Sequence, residues 1–153
     1  MRLIGKALVG FAVLVLVDCG ETREDSFPSM STPQGQAMVS RGWIPSSLPR
    51  TATDVRVRSN IDTNMVRGKA HVVEADLVRL RTALRPLADD VTAPFWMEGD
   101  ITPSWWPAEL LPPGRTSELR TLGWEVFLVP DRVACYMALH TSDGWVYFWS
   151  DGS

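Results

Sequence analysis

The chain has little of what metal sites, nucleic-acid surfaces and hydrolase motifs require. Two histidines, His71 and His140, occur among its 153 residues, whereas a zinc site needs three or four suitable ligands. The basic residues are scattered and do not interleave with aromatic residues, although phosphate binding needs clustered Lys or Arg. The G-x-S-x-G motif of many hydrolases is missing. We therefore expect no metal, no cofactor, no nucleic-acid partner and no enzymatic activity.

The sequence also lacks a hydrophobic run as long as an ordinary membrane span. Residues 7–17 form an 11-residue apolar run, against the roughly 20 residues that a spanning helix needs. Arg2 and Lys6 precede the run, and Cys19 follows it. This layout is that of a secretory signal, and we predict a signal peptide over residues 1–18.

The exit of this signal resembles the lipobox of bacterial lipoproteins. Leu16 and Val17 match the pattern before Cys19, whereas Asp18 stands where that family usually has Gly, Ala or Ser. The resemblance implies that Cys19 is acylated and holds the protein on the membrane of the cell envelope, facing the periplasm or the exterior. Ordinary signal-peptide cleavage and an uncleaved anchor remain as alternatives.

The rest of the chain predicts a tether and one domain. Residues 20–42 are polar, rich in Ser, Thr, Gly and Pro, and lack apolar periodicity, so we predict a flexible tether that follows Cys19. Residues 43–153 then form a single domain. Without residues 1–18 the formal charge changes from −3 to −4, because Arg2, Lys6 and Asp18 are lost.

Hydrophobic periodicity predicts the order ββαβββ for that domain. Alternation predicts strands over residues 54–59, 65–72, 124–129, 133–140 and 145–149. An apolar stripe at helical spacing, made of Val73, Leu77, Leu80 and Leu84, predicts a helix that ends at Pro86. We expect an α+β fold of two layers: an antiparallel sheet of about five strands with one main helix on one face.

Two local patterns have a functional and a structural interpretation. Asn60, Asp62 and Asn64 alternate like the start of a calcium loop, but Met65 and His71 stand where an EF-hand needs Gly and Glu. We favour a hairpin turn with side-chain hydrogen bonds. Cys135 lies in an apolar run, and we expect a buried thiol; if Cys19 is not acylated, a disulfide between the two becomes an alternative.

A second resemblance covers residues 42–85 and the last strand. The segment Gly42–Val55 and the turn Asn60–Asn64 carry a W-x-P-x-x-[IL]-P-x-[ST]-A pattern followed by I-D-T-N. This is similar to a recurrent pattern in a family of small, uncharacterised bacterial proteins, many with lipoprotein-like leaders. The resemblance brings no activity and no site residues.

Tryptophan is the most suggestive residue type, with seven in the chain. Trp96, Trp105 and Trp106 lie in a long loop over residues 86–122, and loop aromatics can form a binding surface. The alternative is that their rings cover an open end of the sheet. We hypothesise an envelope lipoprotein that binds another protein or envelope component. Alternatives are a glycan or peptidoglycan binder that uses these tryptophans, or a hydrolase with Asp89 and Asp90.

Overall fold

The fold is built around one antiparallel β-sheet. A computed structural model describes residues 22–92, 102–111 and 114–151. Within them the strands are β1 (Thr22–Ser29), β2 (Thr53–Asn60), β3 (Met65–His71), β4 (Arg85–Pro86), β5 (Trp124–Leu128), β6 (Cys135–His140) and β7 (Trp145–Asp151). The spatial order of these seven strands is β1-β2-β3-β7-β6-β5-β4.

Three short helices accompany the sheet in the described residues. They are α1 (Pro33–Ser40), α2 (Glu74–Ala83) and α3 (Thr116–Thr121), and a 3-10 turn spans Ala108–Leu110. None of the helices in these segments has the length and hydrophobicity to cross a bilayer.

The predicted α+β fold of about five strands is therefore wrong. The described residues form a mainly β structure with a seven-stranded sheet and helices of at most ten residues. Two strands, β1 and β4, and two helices, α1 and α3, lie in segments whose composition predicted a tether or a loop. Because α3 and the 3-10 turn cover the second face of the sheet, the sheet is also packed on both sides rather than on one.

The predicted tether is wrong over residues 22–40, and the domain begins before Trp43. Strand β1 pairs with β2 from Thr22 opposite Asn60 to Ser29 opposite Thr53. An edge strand needs few apolar residues, and β1 buries Phe27 alone. Helix α1 follows with a Thr32 cap, whose side chain accepts a hydrogen bond from the Gly35 N–H at 3.1 Å. Backbone pairing at an edge therefore orders a segment that its polar composition assigned to a tether.

The elements predicted from residue 53 onward are largely confirmed. Strands β2, β3, β5, β6 and β7 and helix α2 lie within one or two residues of the predicted positions. The turn between β2 and β3 is a hairpin turn, because the Asn60 Oδ1 accepts hydrogen bonds from the backbone N–H groups of Asp62 at 3.0 Å and Thr63 at 2.9 Å. The hairpin interpretation of this turn is thus confirmed.

One face of the sheet, the aliphatic face, packs against α1, α2 and the segment that joins α1 to β2. Its buried strand residues are Phe27, Val55, Val57, Val66, Ala70, Phe127, Cys135, Met137, Leu139, Val146 and Phe148. Leu77, Leu80 and Leu84 of α2 and Met38 of α1 lie in the same cluster. The predicted burial of Cys135 is confirmed.

The other face, the aromatic face, is covered by residues 102–111 and α3. Its buried cluster is Trp106, Leu110, Leu119, Trp124, Val126, Ala138, Tyr147 and Trp149. The predicted division of β7 is confirmed, since Tyr147 and Trp149 lie in this cluster while Val146 and Phe148 lie in the aliphatic one.

The two halves of the sheet meet where β3 pairs with β7. Gly68 lies opposite Phe148 in this pair, and a Cβ atom at Gly68 would lie 2.0 Å from the Phe148 ring. The absence of a side chain at Gly68 therefore lets the Phe148 ring lie directly against the β3 backbone at the centre of the aliphatic face.

Candidate functional site

Aromatic rings pack closely over β5, β6 and β7, edge to face around Trp106 and Trp124 and stacked where Tyr136 meets Trp149. The Trp106 ring meets Tyr147 with centroids 5.5 Å apart and planes at 83°, and it meets Trp149 at 6.0 Å and 90°. Trp124 contacts Tyr147 in the same manner at 5.5 Å. This geometry is the favourable one for aromatic quadrupoles. Over these three strands the face is a closed core.

The character of this face changes at β3. Arg67 is 2% exposed, and its guanidinium carbon lies 5.4 Å from the centre of the Trp106 ring. Its Nη1 donates a hydrogen bond to the Val66 carbonyl at 3.4 Å. Cation–π contacts of this kind strengthen as water is excluded. A buried arginine thus marks the edge of the aromatic core.

Beyond Arg67 the face opens into a groove. The groove has a volume of about 540 Å³, within the range of about 300–1,000 Å³ typical of ligand sites. Strands β1, β2, β3 and β7 all contribute to its lining, which consists of Ser26, Phe27, Pro28, Asp54, Val55, Arg56, Lys69 and Trp145. We call this feature the β1–β3 groove.

Lys69 lies at the inner wall of the groove between two indole rings. Its Nζ is 4.4 Å from the centre of the Trp145 ring and 5.6 Å from that of Trp105. Trp105 is in turn fixed to the edge strand, because its indole N–H donates a hydrogen bond to the Glu24 Oε1 at 2.9 Å. Among the described residues, the Lys69 ammonium group is therefore held by the two indole rings and not by a carboxylate.

Two positively charged side chains lie side by side in the groove, on neighbouring strands. Arg56 on β2 lies directly opposite Lys69 on β3. Burial, and next the nearby Arg56 charge, lower the pKa of Lys69, while Asp54 acts in the opposite direction. Among the described residues neither Arg56 nor Lys69 has a carboxylate within 4.0 Å. Like charges that lack a counter-charge favour an anion between them.

A β-bulge places the acidic member of the groove. The register between β2 and β3 shifts between Thr53 and Arg56, and Asp54 there has a φ of 50°. Asp tolerates this left-handed conformation better than most residues, but it remains uncommon outside glycine. Bulges redirect side chains and occur often beside functional sites. The groove therefore has an acidic group at its mouth beside the two cations.

The structure separates the three tryptophans that the sequence proposed as binding residues. Trp106 is 7% exposed and belongs to the core, so it covers the sheet and has no free ring face. Trp105 is half-buried and lies near Lys69. Trp96 lies outside the described residues, as do Cys19 and the signal peptide.

Arg56, Lys69 and Trp145 are not among the binding residues that the sequence predicted. A usable signal was present, because Arg56 and Arg58 alternate with the valines of β2 while Arg67 and Lys69 alternate on β3. A hairpin joins the two strands, so these cations share one face. The position of Trp145 opposite His71 is a matter of β3–β7 pairing, for which the sequence has no local signal.

Other chemistry-bearing residues do not gather into a site. His140 meets Ser142 Oγ at 3.1 Å and Asp143 Oδ1 at 3.0 Å, both through the same nitrogen, Nδ1. A Ser-His-Asp triad instead needs the serine on the opposite ring nitrogen. In the described part of the chain no group of three His, Cys, Asp or Glu side chains is placed to hold a metal ion.

The carboxylates considered for hydrolysis lie at the surface. Asp89 Oδ1 forms an ion pair with Arg120 Nη1 at 2.6 Å, and both side chains are more than half exposed. Asp90 is also exposed. The pair is thus solvated, with Asp89 engaged by an arginine.

Comparison with known proteins gives one partial match. Residues 21–69 match the family model of the YbbD head domain, which is about a third of the chain. The match spans β1, α1, β2 and most of β3. No curated protein and no solved structure matches the chain. The N-terminal third is therefore similar to a small bacterial family whose model describes a head domain.

Proposed function

We propose that this protein is a binding domain of the bacterial cell envelope, attached to the membrane through an acylated Cys19, and that the β1–β3 groove binds an anionic group of an envelope component. The observation that carries the proposal is the pair Arg56 and Lys69. The two cations face each other across β2 and β3 without a carboxylate within 4.0 Å among the described residues.

The energetics of the groove fit a binding role. A lysine whose pKa is lowered by burial and by a neighbouring arginine carries an unfavourable charge in the free protein. An anion that bridges the two cations relieves that cost and gains charge-assisted hydrogen bonds. The similarity of residues 21–69 to a head domain of a bacterial family supports the assignment to bacteria and leaves the ligand open.

Co-sedimentation with bacterial sacculi freed of membrane tests the binding role, because sacculi carry carboxylate groups without lipid. The full chain, solubilised in detergent, should sediment with them at low salt and be released as salt rises. The double variant Arg56→Gln, Lys69→Gln should lose at least tenfold in binding. The matched control is Arg41→Gln, Arg50→Gln, which changes the net charge equally at exposed positions and should bind like wild type. Equal loss of binding in both variants would show that the groove is not the binding site.

Intact mass spectrometry tests the attachment. A chain processed at Cys19 should begin at that residue and carry the mass of its acyl groups, and Cys19→Ser should abolish both changes. A mature chain without acyl mass would remove the membrane anchor from the proposal and leave the groove unaffected.

A further inference from the structure

We infer that the ligand of the β1–β3 groove is an acidic saccharide, a sugar unit that carries one carboxylate beside several hydroxyl groups. The inference rests on the proposed function and narrows it to a ligand class. It follows from two properties of the groove that a simple anion site would not need: a carboxylate beside the cations and a wall of flat apolar surface.

The carboxylate of Asp54 distinguishes the groove from a site for polyanions. Asp54 lines the same cavity as Arg56 and Lys69, and its charge acts on the pKa of Lys69 in the direction opposite to burial and to the Arg56 charge. A ligand of dense negative charge, such as a polyphosphate, would be repelled there. A ligand with one acid group and adjacent hydroxyls satisfies both sides, since each hydroxyl can donate to a carboxylate.

The strained backbone at Asp54 supports a function for this residue in the groove. A φ of 50° costs free energy at a residue other than glycine, and such strain persists where the surrounding structure imposes it, often at ligand sites. The bulge that produces this conformation lies between Thr53 and Arg56, at the groove itself. Ser26 adds a hydroxyl, both donor and acceptor, to the same lining.

Apolar surface forms the remaining wall. Trp145 and Pro28 both line the groove, and Trp145 is half-buried. The Trp145 ring is braced by His71, whose ring meets it edge to face with centroids 5.5 Å apart. Rigid aromatic side chains supply contact area at a low entropic cost. Such a wall suits the C–H faces of a sugar ring, whereas a small inorganic anion would leave it without a partner.

Because the chain has few lysines, the NMR signals of lysine side chains can report directly on the groove. Lys69 is the only lysine of residues 19–153, so selective isotopic labelling of lysine gives one set of side-chain NMR signals in the chain processed at Cys19. Lys69→Arg removes these signals and so confirms their assignment. The probes are a trimer of galacturonic acid, a trimer of neutral galactose and the tripeptide of glutamic acid, each titrated into the processed chain in detergent.

The acidic saccharide should shift the Lys69 signals, and it should bind at least tenfold more tightly than either other probe. Trp145→Ala should weaken saccharide binding about tenfold. Asp54→Asn should weaken saccharide binding severalfold while it strengthens binding of the glutamate peptide, because the repulsion between carboxylates is removed.

Two results would overturn the inference, and they are distinguishable from failure of the proposed function. If the glutamate peptide binds the wild type as tightly as the saccharide, the groove recognises anions in general, so the binding role stands and the saccharide class falls. If no probe shifts Lys69 and the sacculi also fail to bind, both the inference and the proposed function fall.

Discussion

Both faces of the sheet hold a buried cluster, but the two clusters consist of different kinds of residues. The aliphatic face is covered by helices, whose Leu and Met side chains meet Val, Leu and Phe from the strands. The aromatic face is covered by an irregular segment and a six-residue helix, and Trp and Tyr make up half of its buried cluster. Within the described residues the irregular segment covers β5–β7, while on β1–β3 it contacts Glu24, Arg67 and Lys69 through Trp105 and Trp106 and leaves Ser26 and Arg56 exposed.

The open part of the aromatic face carries charge where the closed part carries rings. Arg56, Arg58 and Lys69 lie on this part of the face, on β2 and β3, while the buried Arg67 lies at its boundary with the closed part. Long basic side chains can lie along apolar surface while their charged ends reach water. Within the described residues, this face of the sheet is therefore a buried core over β5–β7 and a charged, exposed surface over much of β1–β3.

The groove also lies largely within the part of the chain that is similar to the YbbD head domain. Ser26, Asp54, Arg56 and Lys69 all fall within residues 21–69, whereas Trp145 comes from the last strand. The proposed site therefore joins the matched third of the chain to the C-terminal half of the sheet.

The strongest test of the comparison uses two adjacent residues of β7 that point to opposite faces. Phe148 and Trp149 are each 1% exposed, so Phe148→Ala and Trp149→Ala should each lower the free energy of unfolding by about 3–5 kcal/mol. Urea denaturation measures both. Trp145→Ala, on the same strand but in the groove, is the control and should cost much less. A small effect of Trp149→Ala would show that the aromatic face is not a true core.

A smaller effect is expected at the centre of the aliphatic face. Gly68→Ala places a methyl group within 2.0 Å of the Phe148 ring, which is fully buried and cannot swing away, so overpacking should cost about 1–3 kcal/mol. Adding Phe148→Leu should recover part of this loss. Strictly additive free energies in the double variant would contradict the proposed contact.

The ion pair at the rim of the aliphatic face should contribute less. Arg81 Nε donates a hydrogen bond to Glu125 Oε2 at 2.6 Å, joining α2 to β5, and both side chains are about 30% exposed. A double-mutant cycle with Arg81→Met and Glu125→Gln should give a coupling free energy of about 0.2–1 kcal/mol, falling as salt rises. A coupling that salt does not change would argue for packing instead of charge.

The smallest expected effect is on the pH dependence of stability. Because the pKa of Lys69 is lowered in the folded protein, the unfolded chain binds more protons between that pKa and the ordinary value of about 10.4. Stability should therefore rise with pH through this window, relative to the Lys69→Gln variant. Urea denaturation from pH 7 to 10.5 measures the difference. Ligand binding should raise the pKa of Lys69, and NMR titration of its side chain would detect a change of opposite sign.

Local patterns in the sequence predicted the regular elements and failed at the edges of the sheet. Alternation located β2 and β3, and an apolar stripe located α2, because each of these elements buries one face. Apolar runs between turn signals located β6 and β7, which are buried on both faces. Strand β1 has one buried residue, Phe27, and charged residues on both of its faces, so it has no such pattern. Its order comes from backbone hydrogen bonds to β2, a partner more than twenty residues away that no local signal identifies.

The candidate site was predictable in part. The loop tryptophans drew attention to the correct face, and Trp105 does lie beside the groove, whereas Trp106 is buried under its own segment. The large apolar ring of a tryptophan can either cover the core or form a contact surface for a ligand. Which of the two it becomes depends on the sheet beneath it, and that sheet is assembled from strands distant in the chain.

Local sequence patterns were enough to predict the hairpins, the division of β7 between two faces and the burial of Cys135, and they led to the hypothesis of a lipid-attached envelope protein. Periodicity and local turn chemistry are sufficient for the three structural predictions. It takes the folded sheet to show that residues 22–40 belong to the domain, that the sheet is packed on both faces, and that Arg56, Lys69 and Trp145 line one groove. These features depend on strand pairing between distant segments, β1 with β2 and β3 with β7, and such pairing is selected by the free energy of the whole sheet.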